Sequence, residues 1–321
     1  MDEFSFIRAI KQDYYNQSSL IKGIGDDAAV IRQGTRDIVT AVDTFVEGVH
    51  FSRKTMDPIH IGYRALAANL SDLAAMGAEP AFYLTSIVIP SSWSDNELLD
   101  VIKGMKQLAN QYKIDLIGGD TVKGSELTIS INVIGYVLQE KCFYRHTSVP
   151  GDVVFVTGTL GDSQAGLHIL TYPNEYDQKE YFIRRHRMPT PRIDFARRLQ
   201  KIKRVTLNDI SDGIANEALE IAEASDVSIH LIDEQMPSVK SFQQFPDTLQ
   251  YQWKYFGGED FELLGTVAEL EWEKVIEAAI ETDTPIKKVG YVTTPLETTN
   301  VILHKDGKEI LLEKKGYIHS R

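Results

Sequence analysis

Six short segments set aspartate into surroundings that otherwise belong to a core or a tight turn. They are Gly23-Ile24-Gly25-Asp26-Asp27-Ala28-Ala29-Val30, Thr40-Ala41-Val42-Asp43-Thr44 and Asn69-Leu70-Ser71-Asp72-Leu73. Further along come Ile117-Gly118-Gly119-Asp120-Thr121, Asp209-Ile210-Ser211-Asp212-Gly213 and Gly257-Gly258-Glu259-Asp260. A carboxylate is almost never fully buried unless it is paired or bound to a cation, because losing its hydration is so unfavourable. Gly-Asp and Asp-Gly pairs are also common turn chemistry, which accounts for any one of them alone. It does not account for Asp43, at the end of an apolar strand, or for Asp72, inside an Ala/Leu-rich helix. A chain carrying the whole series must bring carboxylates from separate elements together, or meet them with cations.

Carboxylate oxygens are the ligands that hard cations such as Mg²⁺ require, and Mg²⁺ takes only one or two from protein while phosphates and water complete its shell. Several aspartates from different elements therefore suit more than one Mg²⁺ around a nucleotide. The charge balance agrees: 34 Lys and Arg against 46 Asp and Glu give −12. Such a chain lacks the electrostatic footprint of a nucleic-acid or anionic-membrane binder. One cysteine, Cys142, excludes an intramolecular disulfide and any multi-cysteine metal site. The start, Met1-Asp2-Glu3-Phe4, is acidic where a signal peptide is basic, and no apolar run approaches ~20 residues. A cytoplasmic location is expected.

At 321 residues the chain reaches the size at which one core stops growing, so two domains are expected. Phe4, Ile7, Ile10 and Tyr14 are spaced for a short amphipathic helix over 4–15. Ile38–Val42, Phe82–Ile89 and Leu127–Leu138 are β-branched and apolar, as strands are. Asp57-Pro58 starts a helix that runs to about Met76 and closes at Gly77, and Ser94 caps another from Asp95 to Tyr112. Ser148-Val149-Pro150-Gly151-Asp152 is a turn-rich junction ahead of a new strand, Val153–Thr157. Beyond it the patterns predict helices at 162–171, 191–202 and 214–225, strands near 228–232, 261–266 and 298–304, and an exposed loop over 171–180. The expectation is an α/β (α+β) architecture with an N-terminal domain over 1–147 and a C-terminal α/β domain over 148–321.

Two familiar nucleotide motifs are imitated and absent. Gly23-Ile24-Gly25-Asp26-Asp27-Ala28 matches the dinucleotide fingerprint, but no buried strand precedes it and two aspartates would face the pyrophosphate. In Gly119-Asp120-Thr121-Val122-Lys123-Gly124-Ser125 the lysine precedes the second glycine, so there is no Walker A loop. The protein-kinase motifs are also missing. Three other residues are candidates: Arg145, a bidentate phosphate clamp after Phe143-Tyr144; His50, seven residues past Asp43; and Tyr317, near the C-terminus.

Taken in order and spacing, these blocks resemble the thiamine-monophosphate kinases, within the superfamily named for aminoimidazole ribonucleotide synthetase, from about residue 4 to residue 317. The resemblance implies two α/β domains, a homodimer formed by pairing of the N-terminal sheets, and ATP bound in a cleft without a P-loop. It implies transfer of the γ-phosphoryl of ATP to thiamine monophosphate, giving thiamine diphosphate and ADP, with several Mg²⁺ ions. On this basis Asp27, Asp43, Asp72, Asp120, Asp209 and Asp212 would be metal ligands. Gly119, Asp120, Arg145 and Ser211 would contact the nucleotide, and His50, Glu259 and Tyr317 the thiamine substrate. One departure stands out: the family commonly has hydroxyl residues where this chain has Ala41 and Val42, so ligation there would run through backbone carbonyls.

The residue choice suits that reaction. A phosphate monoester is already anionic near neutral pH and needs no general base. The obstacle is charge: two unit charges 4 Å apart repel by about 4 kcal/mol at an effective dielectric near 20. Bound Mg²⁺ and positioning answer it. No nucleophile and base are paired for covalent catalysis, so direct in-line transfer is expected. The alternatives are another ATP-using member of the superfamily, or a nucleotide- and metal-binding regulator without turnover. Selenophosphate synthetase is expected to need an N-terminal Cys or selenocysteine, and Cys142 is not one.

Overall fold

A computed structural model describes residues 18–22, 26–295 and 297–313. The expected helix over 4–15 and Tyr317 lie outside them. Elements in chain order are β1 (Leu20–Lys22), β2 (Ala29–Gln33), β3 (Arg36–Val46), α1 (Pro58–Ala75), β4 (Glu79–Pro90), α2 (Asp95–Tyr112), β5 (Asp115–Gly124) and β6 (Thr128–Leu138). Then follow β7 (Asp152–Thr157), α3 (Asp162–Thr171), α4 (Lys179–Arg187), α5 (Ile193–Leu199), β8 (Val205–Asp209), α6 (Ile214–Ser225) and β9 (Ser228–Ile232). The chain closes with α7 (Asp247–Phe256), β10 (Leu263–Ala268), α8 (Trp272–Glu281), β11 (Ile286–Thr293), β12 (Val301–Lys305) and β13 (Lys308–Leu311).

The first sheet has the order β1-β2-β3-β6-β4-β5, antiparallel except for the parallel β4–β5 pair at its edge. Alternation along β3 sends Val39, Ala41 and Phe45 inward while Val42 stays 59% exposed on the outer face. α1 lies on the inner side and touches β3 and β6. Pro58 occupies its first turn, and Gly77 closes it at φ +67, a conformation in which a Cβ would also meet the Phe143 ring at 2.7 Å. α2 begins with a full capping box in which Ser94 and Glu97 satisfy each other's backbone N–H.

The second sheet has the order β13-β12-β9-β11-β7-β10-β8. β7 is buried on both faces and feeds two cores. Val154 and Val156 pack with Ile214, Ile221 and Tyr255 beneath α6 and α7. Val153 and Phe155 instead join Phe195, Val275 and Ala278 in a core continuous with that of the first sheet. α1 therefore runs through the middle of the molecule, touching α5 and β8 of the second layer as well as its own sheet. Among the described residues no helix is long and apolar enough to cross a membrane.

Several elements exceed or escape the sequence expectations. β3 and β4 are longer than predicted at both ends. The strand expected over 261–266 starts two residues later, because Phe261 takes a left-handed φ of 51° that no strand allows. The helix expected over 191–202 contracts to Ile193–Leu199. α4 begins at Lys179, inside the last residues of the expected loop. β5 carries two internal glycines and no alternation, so it lacks a strand signature; pairing with β4 alone makes it one. α7 is rich in aromatics, which favour strands locally.

The contact between α1 and α2 depends on Gly62 and Gly104. A Cβ on Gly104 would come within 1.8 Å of the Ile59 carbonyl oxygen, and one on Gly62 within 1.8 Å of that of Val101. Helix propensity alone favours Gly104→Ala by about 1 kcal/mol. Overpacking against a rigid backbone costs about 1–3 kcal/mol and opposes it, so the substitution should lower stability by up to about 2 kcal/mol net. Urea denaturation of Gly104→Ala beside the wild type measures this, and a gain in stability would show that the two helices can separate freely.

Candidate active site

Four of the six sequence segments bring their aspartates together around the C-terminal half of α1. Asp72 projects from its C-terminal half, Asp43 from the inner face near the end of β3, Asp209 from the last residue of β8 and Asp27 from the turn before β2. One carboxylate oxygen from each of Asp27, Asp72 and Asp209 lies within 4.8 Å of the other two. Asn69, wholly buried one turn before Asp72, accepts a hydrogen bond from the Asp43 N–H at 2.9 Å and donates to the Ala65 carbonyl at 2.9 Å. It ties the strand bearing Asp43 to the helix bearing Asp72.

These carboxylates hold their protons unusually tightly. Burial, then the charges of Asp43, Asp209 and Asp27, pushes Asp72 well above the ordinary carboxylate range. Asp209 is raised in the same way, by burial and then by Asp27. Burial lifts Asp43 to about 6, and lifts Asp27 to about 6 against the opposing pull of Arg145. Buried acids held this close are under-compensated by protein alone. The Asp27 Oδ2 has no hydrogen-bond partner. An oxygen-only donor set with surplus negative charge fits a hard divalent cation of the Mg²⁺ class.

Arg145 flanks the cluster in a short turn, Arg145–Thr147. Its Nη2 pairs with Asp27 at 2.7 Å, its Nη1 with Glu220 at 3.1 Å, and its Nε donates to Asn208 at 3.1 Å. Glu217, buried at the start of α6, receives Asn208 Nδ2 at 2.8 Å, Ser211 Oγ at 3.3 Å and the Asp212 N–H at 3.0 Å. One carboxylate thereby shapes the whole Asp209–Gly213 turn. Beside it opens a cavity of about 370 Å³ whose walls include Asp43, His50, Ser211, Asp212, Glu259 and Phe261. The His50 Nδ1 accepts from the Val46 N–H at 3.1 Å, and its ring lies 5.1 Å from that of Phe45.

The structure thus gathers Asp27, Asp43, Asp72, Asp209 and Arg145 into one cluster, and sets Asp43, Ser211, Asp212, His50 and Glu259 in the wall of the adjoining cavity. It does not bring Gly119 and Asp120 there. Both are exposed on β5 at the sheet edge. Thr44 pairs across to Ser130, Ser130 to Ser86 and Ser86 to Asp120, so about 14 Å of sheet separates Asp120 from β3. Gly119 is also required by packing, since a Cβ there would lie 2.0 Å from the Thr85 carbonyl oxygen. Sequence reasoning missed Asn69, Asn208, Glu217 and Glu220 as site builders. Only Asn69 left a signal, a polar residue inside the apolar stretch that carries Asp72.

Comparison with known proteins places the whole chain beside relatives. Residues 25–137 match the AIR synthase related protein, N-terminal domain, and residues 149–299 the AIR synthase related protein, C-terminal domain. The chain is 44% identical over 326 residues to the thiamine-monophosphate kinase of Bacillus subtilis, covering 99% of each. AaThiL complexed with AMPPCP and TMP superposes with a TM-score of 0.85 at 30% identity, over 99% of this chain and 97% of that one. The thiamine-monophosphate kinase of Stenotrophomonas maltophilia gives a TM-score of 0.78 at 30% identity, over 95% and 96%.

The raised aspartates have a measurable consequence in metal-free protein. Their folded-state pKa values, about 6 for Asp27 and Asp43 and well above the ordinary carboxylate range for Asp72 and Asp209, exceed the value of 3.8 expected when unfolded. In that window these four groups bind more protons in the folded state, so their contribution to stability should rise as pH is lowered from 8 towards 5, against an opposing one from His186, whose burial lowers its pKa. Asp72→Asn should flatten the profile and gain about 1–3 kcal/mol at pH 8. Mg²⁺ should stabilise the wild type more at pH 8 than at pH 5.5, since protons compete for its ligands. Thermal denaturation with and without Mg²⁺ checks all three, and an unchanged Asp72→Asn profile would refute the cluster's surplus charge.

Proposed function

The chain belongs to the AIR synthase related family and, within it, to the thiamine-monophosphate kinases, and from that premise we infer that it transfers the γ-phosphoryl of ATP to thiamine monophosphate, yielding thiamine diphosphate and ADP. It is a phosphotransferase with a phosphate group as acceptor, acting in thiamine diphosphate biosynthesis. The observation that carries the site assignment is the convergence of Asp27, Asp43, Asp72 and Asp209 beside a cavity whose wall holds Asp43, His50 and Glu259.

Asp27, Asp43, Asp72 and Asp209, with Asp212 at the cavity wall, would hold Mg²⁺. The bound ions supply the positive charge that lets two phosphate groups approach and that offsets charge on the transferred phosphoryl. Arg145, steadied by Asn208 and Glu220 as well as Asp27, offers its guanidinium to the nucleotide phosphates. Ser211, in the turn shaped by Glu217, serves the same ligand. His50 and Glu259 receive the thiamine end, and Tyr317 is assigned there by resemblance. No residue is asked to remove a proton from the acceptor or to carry the phosphoryl group. Transfer is therefore direct and in line.

Gly119 and Asp120 fit this scheme through a second copy. The outer face of the first sheet exposes Val42 at its centre, and Leu116, Ile117 and Val122 are exposed on β5. Apolar side chains exposed together mark an interaction surface. Pairing of two such sheets in a homodimer would cover them and carry Asp120 of each copy toward the other's aspartate cluster.

Two expectations follow from this scheme. Asp72→Asn should lower kcat by about a thousandfold or more while the protein still unfolds cooperatively; near wild-type turnover at ordinary Mg²⁺ would remove Asp72 from the ligands. Secondly, Asp72→Asn and Asp120→Asn proteins should each be inactive alone. Mixed and allowed to exchange subunits, they should regain about a quarter of wild-type activity, because half the dimers would hold one intact site. No recovery despite exchange would mean that Asp120 acts within its own chain or not at all.

A further inference from the structure

Among the described residues Arg64 is the largest wholly buried side chain, and nothing in the chemistry above uses it. It sits in α1, about two turns before Asp72. A buried guanidinium needs partners, and removing them leaves an uncompensated charge. Its Nη1 donates to the backbone carbonyl of His186 and lies 3.4 Å from the His186 Nδ1. Its Nη2 lies 2.5 Å from Glu259 Oε2, an ion pair outside hydrogen-bond geometry, and its Nε has no hydrogen-bond partner. The Phe261 ring is 5.6 Å away. Arg64 belongs to the N-terminal domain, and all of these neighbours belong to the C-terminal domain.

The loop bearing Glu259 is constrained on every side except at that carboxylate. Glu259 and Phe261 both have positive φ, 67° and 51°, which non-glycine residues hold only where the surroundings over-determine them. Those surroundings are visible. The Glu259 N–H donates to the Ser211 carbonyl at 2.7 Å and the Phe261 N–H to that of Ile210 at 3.0 Å. Between them Asp260 turns inward and accepts from the N–H groups of Gly161 at 2.6 Å and Ser163 at 3.0 Å, at the start of α3. The loop backbone therefore holds its shape without Arg64. The Glu259 side chain projects from this loop, is 27% exposed, and lines the cavity. Arg64 is the cation it meets.

We propose that Arg64 is the positioning residue for Glu259: it holds Oε2 of that carboxylate against the cavity wall and leaves Oε1 for a donor or cationic ring of thiamine monophosphate. The proposal rests on the assignment of Glu259 to the thiamine end. Because Arg64 and Asp72 share one rigid helix, the same element sets both the thiamine-binding carboxylate and the phosphate-side aspartate, and with them the span between the two ends of the substrate.

Steady-state kinetics of the full chain with ATP, Mg²⁺ and thiamine monophosphate test this on Arg64→Met, Arg64→Lys, Glu259→Gln and the Arg64→Met/Glu259→Gln pair. Arg64→Met should raise the KM for thiamine monophosphate about tenfold, with kcat and the KM for ATP within about twofold. Arg64→Lys should recover part of the loss, and the double variant should be no worse than Glu259→Gln alone. Additive losses, or an unchanged thiamine KM in Arg64→Met beside a raised one in Glu259→Gln, would overturn the proposal while leaving Glu259 as a substrate residue. An unchanged KM in Glu259→Gln would instead overturn the assignment of Glu259, and the proposal with it. Should Arg64→Met fail to fold, Arg64→Lys carries the test through a severalfold rise in the same KM, and an unchanged KM there would overturn it.

Discussion

Carboxylates buried side by side around one helix are the constraint that the rest of the structure accommodates. Two unit negative charges about 4 Å apart repel by about 4 kcal/mol at an effective dielectric near 20, and burial adds to that. Asp27, Asp72 and Asp209 are held in that relation, with Asp43 close enough to raise two of them further. A fold selected for stability alone would disperse them. The arrangement makes sense as a negative pocket prepared for cations and the phosphates they accompany.

Holding such a cluster requires rigid supports, and the supports come from both domains. α1 is buried along most of its length and packs against its own sheet, α2, α5 and β8, so neither Asp72 nor Arg64 can drift. Asn69 pins the backbone of Asp43 to the same helix. On the other side Glu217 and Asn208 fix the turn after β8 and the guanidinium of Arg145. Ion pairs buried deeper do the same for the cavity wall: Glu262, wholly buried, is gripped by Arg185 and Arg192, which holds it below the usual carboxylate range despite burial. Glu262 is lowered because two guanidiniums meet it, whereas Asp72 and Asp209 are raised by burial and by the other carboxylates that surround them.

The cavity beside the cluster mixes two kinds of lining. Asp43, Asp212 and Glu259 make it oxygen-rich and negative, and Phe45, His50 and Phe261 give it rings. A ring-bearing, partly cationic compound finds partners for its ring in such a lining, and the neighbouring acidic cluster would suit cations accompanying its phosphate, where other folds use a lysine and backbone N–H groups.

Local sequence determined much of this. Pro58, Ser94 and the paired turn residues near position 150 announced their elements because capping and φ preference act within a few residues. Asp43 and Asp72 stood out because a charge in an apolar run has few reasons to be there. What needed tertiary structure was everything decided by neighbours distant in sequence. β5 is a strand only because β4 lends it a ladder. Glu217 and Asn208 look like ordinary surface residues until the turn after β8 folds over them. Arg64 reads as one more helix cation, and burial between two domains gives it a carboxylate to hold. Gly119 and Asp120 stand adjacent to the others in motif order yet apart in space, because sheet order, rather than chain order, fixes distance. Residue types and their spacing thus determined which chemistry this chain is equipped for, since that depends on functional groups alone. Which groups share a site was decided by burial and strand pairing, long-range interactions that no local pattern encodes.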